Sequence, residues 1–258
     1  MFRRHLITSL ALTAVVAVAL GLLYPLAMTG VGKVAFPWRT QGSYLKVNGK
    51  VVGSALIGQE FLGKDGNADP KYFQPRPSAA GNGDDPTASG ASNLGPSDPK
   101  LVGFIPGFNT VALDGNTSKT NPFATKDDPY CVPTDPTGTA VTSPSAGQKY
   151  QRNADGSYAC YPNTVPERVA AYRQLNGLPD STAIPVDAVT GSASGLDPDI
   201  SVANADLQAA RVAKARGVPV SEVEHVVATH TNSPQLGVLG EKTVNVLDLN
   251  LALDALHA

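Results

Sequence analysis

The sequence predicts an α+β fold, with one N-terminal transmembrane helix followed by a single mixed α/β domain outside the cytoplasm. The first sign is an apolar run, Leu6 to Ala27, that contains no charged side chain. The second is Asn48-Gly49, a strong hairpin signal between two strand-like stretches. The third is the helical spacing of apolar residues after residue 164.

The apolar run has the length and composition of a membrane span. About 20 apolar residues in a helix cross a hydrocarbon core of roughly 30 Å. Gly21 and Pro25 weaken the last turns, so we expect the helix to bend or end near Pro25. A cleaved signal peptide is the alternative, because Arg3 and Arg4 form a positive n-region. The run is long for a signal core and no clear A-x-A site follows it, which favours a retained anchor.

The charges beside the span predict its orientation. Arg3 and Arg4 lie at its start, whereas Lys33 and Arg39 lie further from its end. The positive-inside rule then places the N-terminus in the cytoplasm and the bulk of the chain outside. We therefore divide the chain into residues 1–29, the cytoplasmic tip and transmembrane helix, and residues 30–258, the extracytoplasmic domain.

Composition excludes some classes of partner. The 258-residue chain carries 20 basic and 22 acidic residues, a net charge of -2, which gives no electrostatic footprint for nucleic acid. The predicted span instead requires membrane lipid around it.

The two cysteines, Cys131 and Cys160, are a disulfide candidate if the domain faces an oxidising compartment. Two free buried thiols are the alternative.

The elements after the span are predicted from turn, cap and periodicity signals. A long irregular insertion rich in Pro, Gly and Thr, residues 103–166, interrupts them. The predicted elements are strands at 43–47 and 51–57, a helix at 165–175, a strand-like start at 184, a helix capped by Ser201 or Asn204 and ended by Gly217, a helix from Pro219 to about His230, a strand at 244–247 and a final helix through Leu256.

Motifs that carry chemistry are weak in this sequence. The segment Gly58–Lys64 matches a phosphate loop for seven positions, but Asp65 stands where a hydroxyl should bind magnesium. Neither a G-x-S-x-G nucleophile turn nor an i, i+4 histidine pair is present. From the residues we predict a non-catalytic chain with no catalytic, cofactor or metal site of its own.

The order of several longer segments resembles one family over most of the chain. The matching stretches are GSALIGQEF at 53–61, YFQPRPSAAG at 72–81, ASGASNLGPSDPKL at 88–101, RVAAYRQLNGL at 168–178, IPVDAVTGSASGLDPDIS at 184–201, RVAKARGV at 211–218 and THTNSPQLGVLGEKTVNVLDLNLALD at 229–254. Together with the N-terminal span they resemble the C subunit of bacterial Kdp potassium-transporting ATPases. We do not expect the 103–166 insertion to belong to the family pattern. Asp199 stands where the family commonly has histidine.

The resemblance implies an accessory subunit of a high-affinity potassium-uptake complex in the bacterial inner membrane. Its partners would be a channel-like A subunit, an ATP-hydrolysing B subunit and a small F peptide. The family's C subunit is described as a catalytic chaperone that raises the ATP affinity of the B subunit, so ATP would act through that partner. The alternative is a membrane-anchored extracytoplasmic binding protein or hydrolase unrelated to transport.

The small-residue stretches of this pattern supply the candidate partner interface. Small residues let backbones approach closely, and Asn offers both a donor and an acceptor. Turn formation and helix capping are the alternative roles for the aspartates among them. The candidates are Gly90, Asn93, Gly95, Asp187, Ser194 and Asp197.

Overall fold

The structure is a computed structural model that describes residues 2–81, 83–102, 132–141, 149–154, 156, 159 and 164–256. The mixture of helices and short antiparallel strands agrees with the predicted α+β class. Cys131, Cys160 and much of the 103–166 segment lie outside the described residues. The chain divides into two compact units, residues 1–56 and 57–258.

The first unit begins with one long helical segment. Helix α1, Phe2–Val18, continues through a π-helical turn, Ala19–Leu23, into α2, Tyr24–Ala35. This is a helix long and apolar enough to cross a membrane, and none of its residues is buried. Of the two expectations for Pro25, a bend or an end, the end is wrong, because the helix continues to Ala35. Tyr24 N–H bonds to the carbonyl of Ala19, five residues back, and this wider turn accommodates Pro25, which has no N–H.

A hairpin completes the first unit. A short helix α3, Pro37–Thr40, precedes strands β1, Tyr44–Val47, and β2, Lys50–Ser54, which pair in antiparallel fashion. Asn48 and Gly49 join them with φ angles of 51° and 78°. These left-handed conformations at both turn positions are those of the two-residue hairpin that the sequence predicted.

The described part of the second unit contains α-helices and a small sheet. After α4, Pro99–Val102, the helices are α5, Val165–Asn176; α6, Val202–Arg216; α7, Val220–Thr229; and α8, Val246–Leu256. Strands β3, Asp199–Ser201; β4, Thr231–Asn232; and β5, Thr243–Asn245, form an antiparallel sheet in the order β3-β5-β4. The apolar faces of α6, α7 and α8 meet in a core that includes Phe73 and Ile200.

Local signals predicted most of the helix ends. Ser201 caps α6 by accepting from the N–H of Asn204 at 3.1 Å. Gly217 ends the same helix at φ 71°, as expected at that position. Gly177 ends α5 in the same way at φ 64°.

Two strand predictions were wrong in part. The residues predicted to start a strand at 184 instead form a 3-10 turn at Val186–Ala188. The strand predicted at 244–247 ends at Asn245, whose side chain accepts from Asp248 N–H at 3.1 Å. The strand therefore ends two residues earlier than predicted, and α8 begins at Val246.

A polar network lies inside the apolar core. The guanidinium of Arg211, which is 8% exposed, donates to the carbonyls of Pro70 and Tyr72 and to the side chains of Asn176 and Gln208, at 2.8 to 2.9 Å. Burial lowers the pKa of Arg211 to about 10. The network ties the loop at 69–74 to α5 and α6.

Candidate partner interface

Loop segments of the second unit converge into what we call the glycine face, residues 58–61, 76–81, 83–85, 88–90 and 190–197. Two backbone bonds join them. Gly58 N–H donates to the carbonyl of Leu196, and Gly90 N–H to that of Ser194, each at 2.9 Å. The hydroxyl of Ser89 also donates to the Ser194 carbonyl at 2.9 Å. These bonds span large sequence separations, so the face exists only in the folded unit.

Glycine is required where these segments cross. Gly195 has a φ of 68°, and a Cβ there would lie 2.5 Å from the carbonyl oxygen of Gly90 and 2.9 Å from the Cβ of Ala80. A Cβ on Gly58 would lie 2.9 Å from the carbonyl oxygen of Asp197. Such distances are too short for any side chain, so the backbones themselves are in contact.

Ser78 is the polar centre of the glycine face. Its hydroxyl donates to the carbonyl of Gly195 at 2.6 Å and accepts from the N–H groups of Ala80 and Asp84 at 3.0 and 2.9 Å. One side chain thus fixes the backbone of Ala80 and Asp84 against the segment at 190–197. We expect little freedom of movement between them while these bonds persist.

An ion pair closes one side of the face. Arg76 Nη1 lies 2.9 Å from Asp197 Oδ2, and the two side chains are 23% and 33% exposed. The same guanidinium donates to the carbonyls of Thr190 and Gly191 at 3.4 and 3.3 Å. Arg76 therefore holds the loop at 190–197 through both its charge and its hydrogen bonds.

Two carboxyl groups also line the face: Glu60 packs against Gly83, the residue before Asp84, and Asp84 packs against Gly58, two residues before Glu60. The carboxylate of Glu60 is 2.6 Å from where a Cβ of Gly83 would stand, and Asp84 Oδ1 is 3.1 Å from that of Gly58. Burial raises the pKa of Glu60. Burial, followed by the charge of Glu60, raises the pKa of Asp84 to about 6, against the opposing effect of the neighbouring Ser78 hydroxyl.

The structure brings together three of the six candidate interface residues. Gly90, Ser194 and Asp197 all belong to the glycine face. Asn93 and Gly95 lie on the exposed chain that follows it. Asp187 lies elsewhere and holds the start of α6.

Sequence reasoning missed several residues of the face, notably Glu60, Arg76, Ser78 and Asp84. All but Asp84 stand inside stretches that carried the family resemblance, GSALIGQEF and YFQPRPSAAG. No periodicity or spacing connects these stretches, so the pairing of their residues required the fold. Among the described residues, no group of three His, Cys, Asp or Glu side chains is placed to hold a metal ion.

The segment at 58–64 differs from a phosphate loop. Gly63 N–H bonds to the carbonyl of Asn67 at 2.7 Å in a tight turn. The described residues from 64 to 98 contain no helix, although a phosphate loop opens one.

Comparison with known proteins decides the family. A family model described as "K+-transporting ATPase, c chain" (KdpC) matches residues 6–135 and 139–255. The chain belongs to the KdpC family. The matched ranges include all of the 103–166 segment except residues 136–138.

Named relatives agree with this assignment. The chain is 41% identical over 254 residues to a protein of Mycobacterium tuberculosis named "Potassium-transporting ATPase KdpC subunit", an alignment that covers 98% of this chain and 100% of the relative. KdpC subunits of Koribacter versatilis and Acidobacterium capsulatum are 37% and 38% identical over 253 residues, with 98% of this chain and 95% and 99% of the relatives covered.

Proposed function

We propose that the chain is an accessory, non-catalytic subunit of an ATP-driven potassium-uptake complex, and that the glycine face docks its second unit onto a partner. The observation that carries this is the close crossing of backbones at Gly195, Gly90 and Gly58. Such a surface is fixed before binding, so association loses little conformational freedom. The exposed residues Ser89 and Ser194 and the partly exposed Arg76–Asp197 pair supply polar contacts around it.

The proposed placement follows from the charges beside the span. Arg3 and Arg4 favour a cytoplasmic N-terminus, and the second unit then lies outside the inner membrane. We propose that it rests there on the potassium-conducting A subunit, with the long helix packed among the membrane helices of the complex. The B subunit and the F peptide complete the proposed assembly.

The proposed effect on ATP is indirect. A chain whose folded part lies outside the cell does not meet cytoplasmic ATP, so hydrolysis belongs to the B subunit. A partner shifts a conformational equilibrium by its differential affinity for the two states. Preference for the state with high ATP affinity would raise that affinity without any nucleotide contact, and this is the form of catalytic-chaperone role that we propose.

Reconstitution tests this function. The tagged full chain should co-purify from detergent-solubilised membranes with the potassium-transport subunits. Complex prepared without the chain should lose potassium-stimulated ATP hydrolysis, and adding the purified chain should restore it with a lower KM for ATP. Unchanged hydrolysis without the chain would contradict the proposal and favour the anchored binding protein or hydrolase.

Protease accessibility tests the placement separately. Protease added to intact spheroplasts should digest the second unit while the N-terminal tip stays protected. Protection of residues 57–258 until lysis would contradict the proposed orientation.

A further inference from the structure

The acidic pair of the glycine face has an arrangement that its docking role does not explain. Glu60 and Asp84 lie on two segments that cross, and each carboxyl packs against the other segment's glycine. Asp84 Oδ2 is buried and has no hydrogen-bond partner among the described residues. A buried carboxylate oxygen without a donor is costly when charged, and a proton on the group removes most of that cost.

The charges around Asp84 reinforce this effect. Glu60 faces it from the segment at 58–61 and adds a like charge. Asp85, next in the chain, is exposed to solvent at its carboxylate, and hydrogen bonds from Thr87 hold its pKa below the usual range. The nearby cation, Arg76, is already paired with Asp197 at 2.9 Å, on the segment whose backbone bonds to Gly58. No ion pair to Glu60 or Asp84 is found in the described part of the chain.

We propose that protonation of the Glu60–Asp84 pair is a switch that closes the glycine face, and that loss of the proton loosens the segment at 83–90. The segment leads from Asp84 to Gly90, whose N–H bonds to Ser194. Charge repulsion at one end of the segment therefore weakens the bond at its other end. This inference goes beyond the docking role and does not depend on it, because closure is a property of the chain alone.

The direction of the pH dependence follows from proton linkage. In the closed face the pKa of Asp84 is about 6, whereas a hydrated aspartate titrates near 3.9. The closed form therefore binds the proton more tightly than the open form. The resulting stabilisation of the closed face is complete below the pKa of the open form and is lost as the pH rises through about 6.

Hydrogen exchange of the full chain in lipid nanodiscs tests the switch. Protection factors, in which the intrinsic pH dependence of exchange is divided out, should be followed for the amides of Gly58 and Gly90. Between about pH 5 and about pH 7.5 the two pKa values correspond to a fall in protection of about tenfold, and partial exposure of the pair reduces this, so we expect a fall of roughly three- to tenfold. Protection of α6 amides should stay constant, which separates local opening from global unfolding.

Three variants complete the test. Asp84→Asn should give high protection at both pH values, and Glu60→Gln should move the midpoint to lower pH. Asp206→Asn, which removes an exposed carboxylate from α6, should behave as wild type. Protection that does not change with pH, or a wild-type transition in Asp84→Asn, would overturn the switch. If Asp84→Asn unfolds, an unshifted midpoint in Glu60→Gln overturns it instead.

Discussion

The side chain of Asn250 binds the backbone of Phe73 on both of its polar groups. Asn250 Oδ1 accepts from Phe73 N–H at 2.9 Å, and Asn250 Nδ2 donates to the Phe73 carbonyl at 3.0 Å. Both residues are fully buried. The amide of Asn250 on α8 thus satisfies both backbone groups of Phe73, a loop residue 177 positions earlier, as a neighbouring strand would. It anchors the segment that leads into the glycine face.

Replacement of Asn250 by Leu should destabilise the second unit strongly. The change leaves the N–H and carbonyl of Phe73 buried without partners, at about 1–3 kcal/mol each, so we expect a loss of about 3 kcal/mol. Pulse proteolysis of the full chain in urea measures it. Asn232→Ala, at an exposed position of β4, is the control and should change stability by less than about 0.5 kcal/mol. Equal losses in the two variants would contradict the assignment.

Asp187 has a structural role that is separable from an interface role. Its carboxylate accepts from Ser201 N–H, Ser201 Oγ and Asn204 Nδ2 at 2.8, 2.8 and 3.0 Å. The side chain of Asn has only one acceptor oxygen, so its NH2 group would face at least one of these three donors and that hydrogen bond would be lost. Asp187→Asn should therefore lower the free energy of unfolding by about 2 kcal/mol. Thermal unfolding of the variant checks this. If stability were unchanged while complex formation was lost, Asp187 would instead belong to the partner interface.

Gly195 and Gly217 form a matched pair for testing the close crossing. Both have left-handed φ angles, 68° and 71°, so alanine at either position meets the same backbone strain of roughly 1 kcal/mol. Only at Gly195 would the new Cβ also clash, at 2.5 Å from the Gly90 carbonyl oxygen. Gly195→Ala should therefore cost about 2 kcal/mol more than Gly217→Ala in urea unfolding. Equal costs would show that the segments separate easily.

Capping and turn signals made the helix ends predictable because they act within a few residues. Helix α6 begins after its cap, Ser201, and ends at Gly217, as the sequence predicted. Asn48-Gly49 forms the expected turn. The 3-10 turn at 186–188 was missed because it depends on Asp187 bonding to Ser201, 14 residues later.

The glycine face was even less predictable from local patterns. Ser78 bonds to Gly195 across 117 residues, and Arg76 pairs with Asp197 across 121. The segments are irregular, so no helical or strand period marks which residues point together. The family resemblance identified the stretches as important, and the fold alone shows which of them meet.

Asn93 provides the most selective test of the candidate interface. It is exposed, its φ is 54°, and its side chain makes no hydrogen bond within the described part of the chain. Glycine adopts this backbone conformation without strain, so Asn93→Gly removes only the amide. We expect unfolding of the isolated chain to change by less than about 0.5 kcal/mol, while co-purification with the potassium-transport subunits weakens because a donor and an acceptor are lost.

The control for Asn93→Gly is Asn48→Gly, which changes an exposed asparagine at a similar φ of 51° in the hairpin of the first unit. Both variants gain the same backbone freedom, so any effect of flexibility is common to the two. Native gel analysis of the detergent-solubilised complex should show a smaller assembled fraction for Asn93→Gly alone. If both variants assembled to the wild-type extent, Asn93 would not belong to the interface. Equal weakening of both would assign the effect to flexibility rather than to a lost contact.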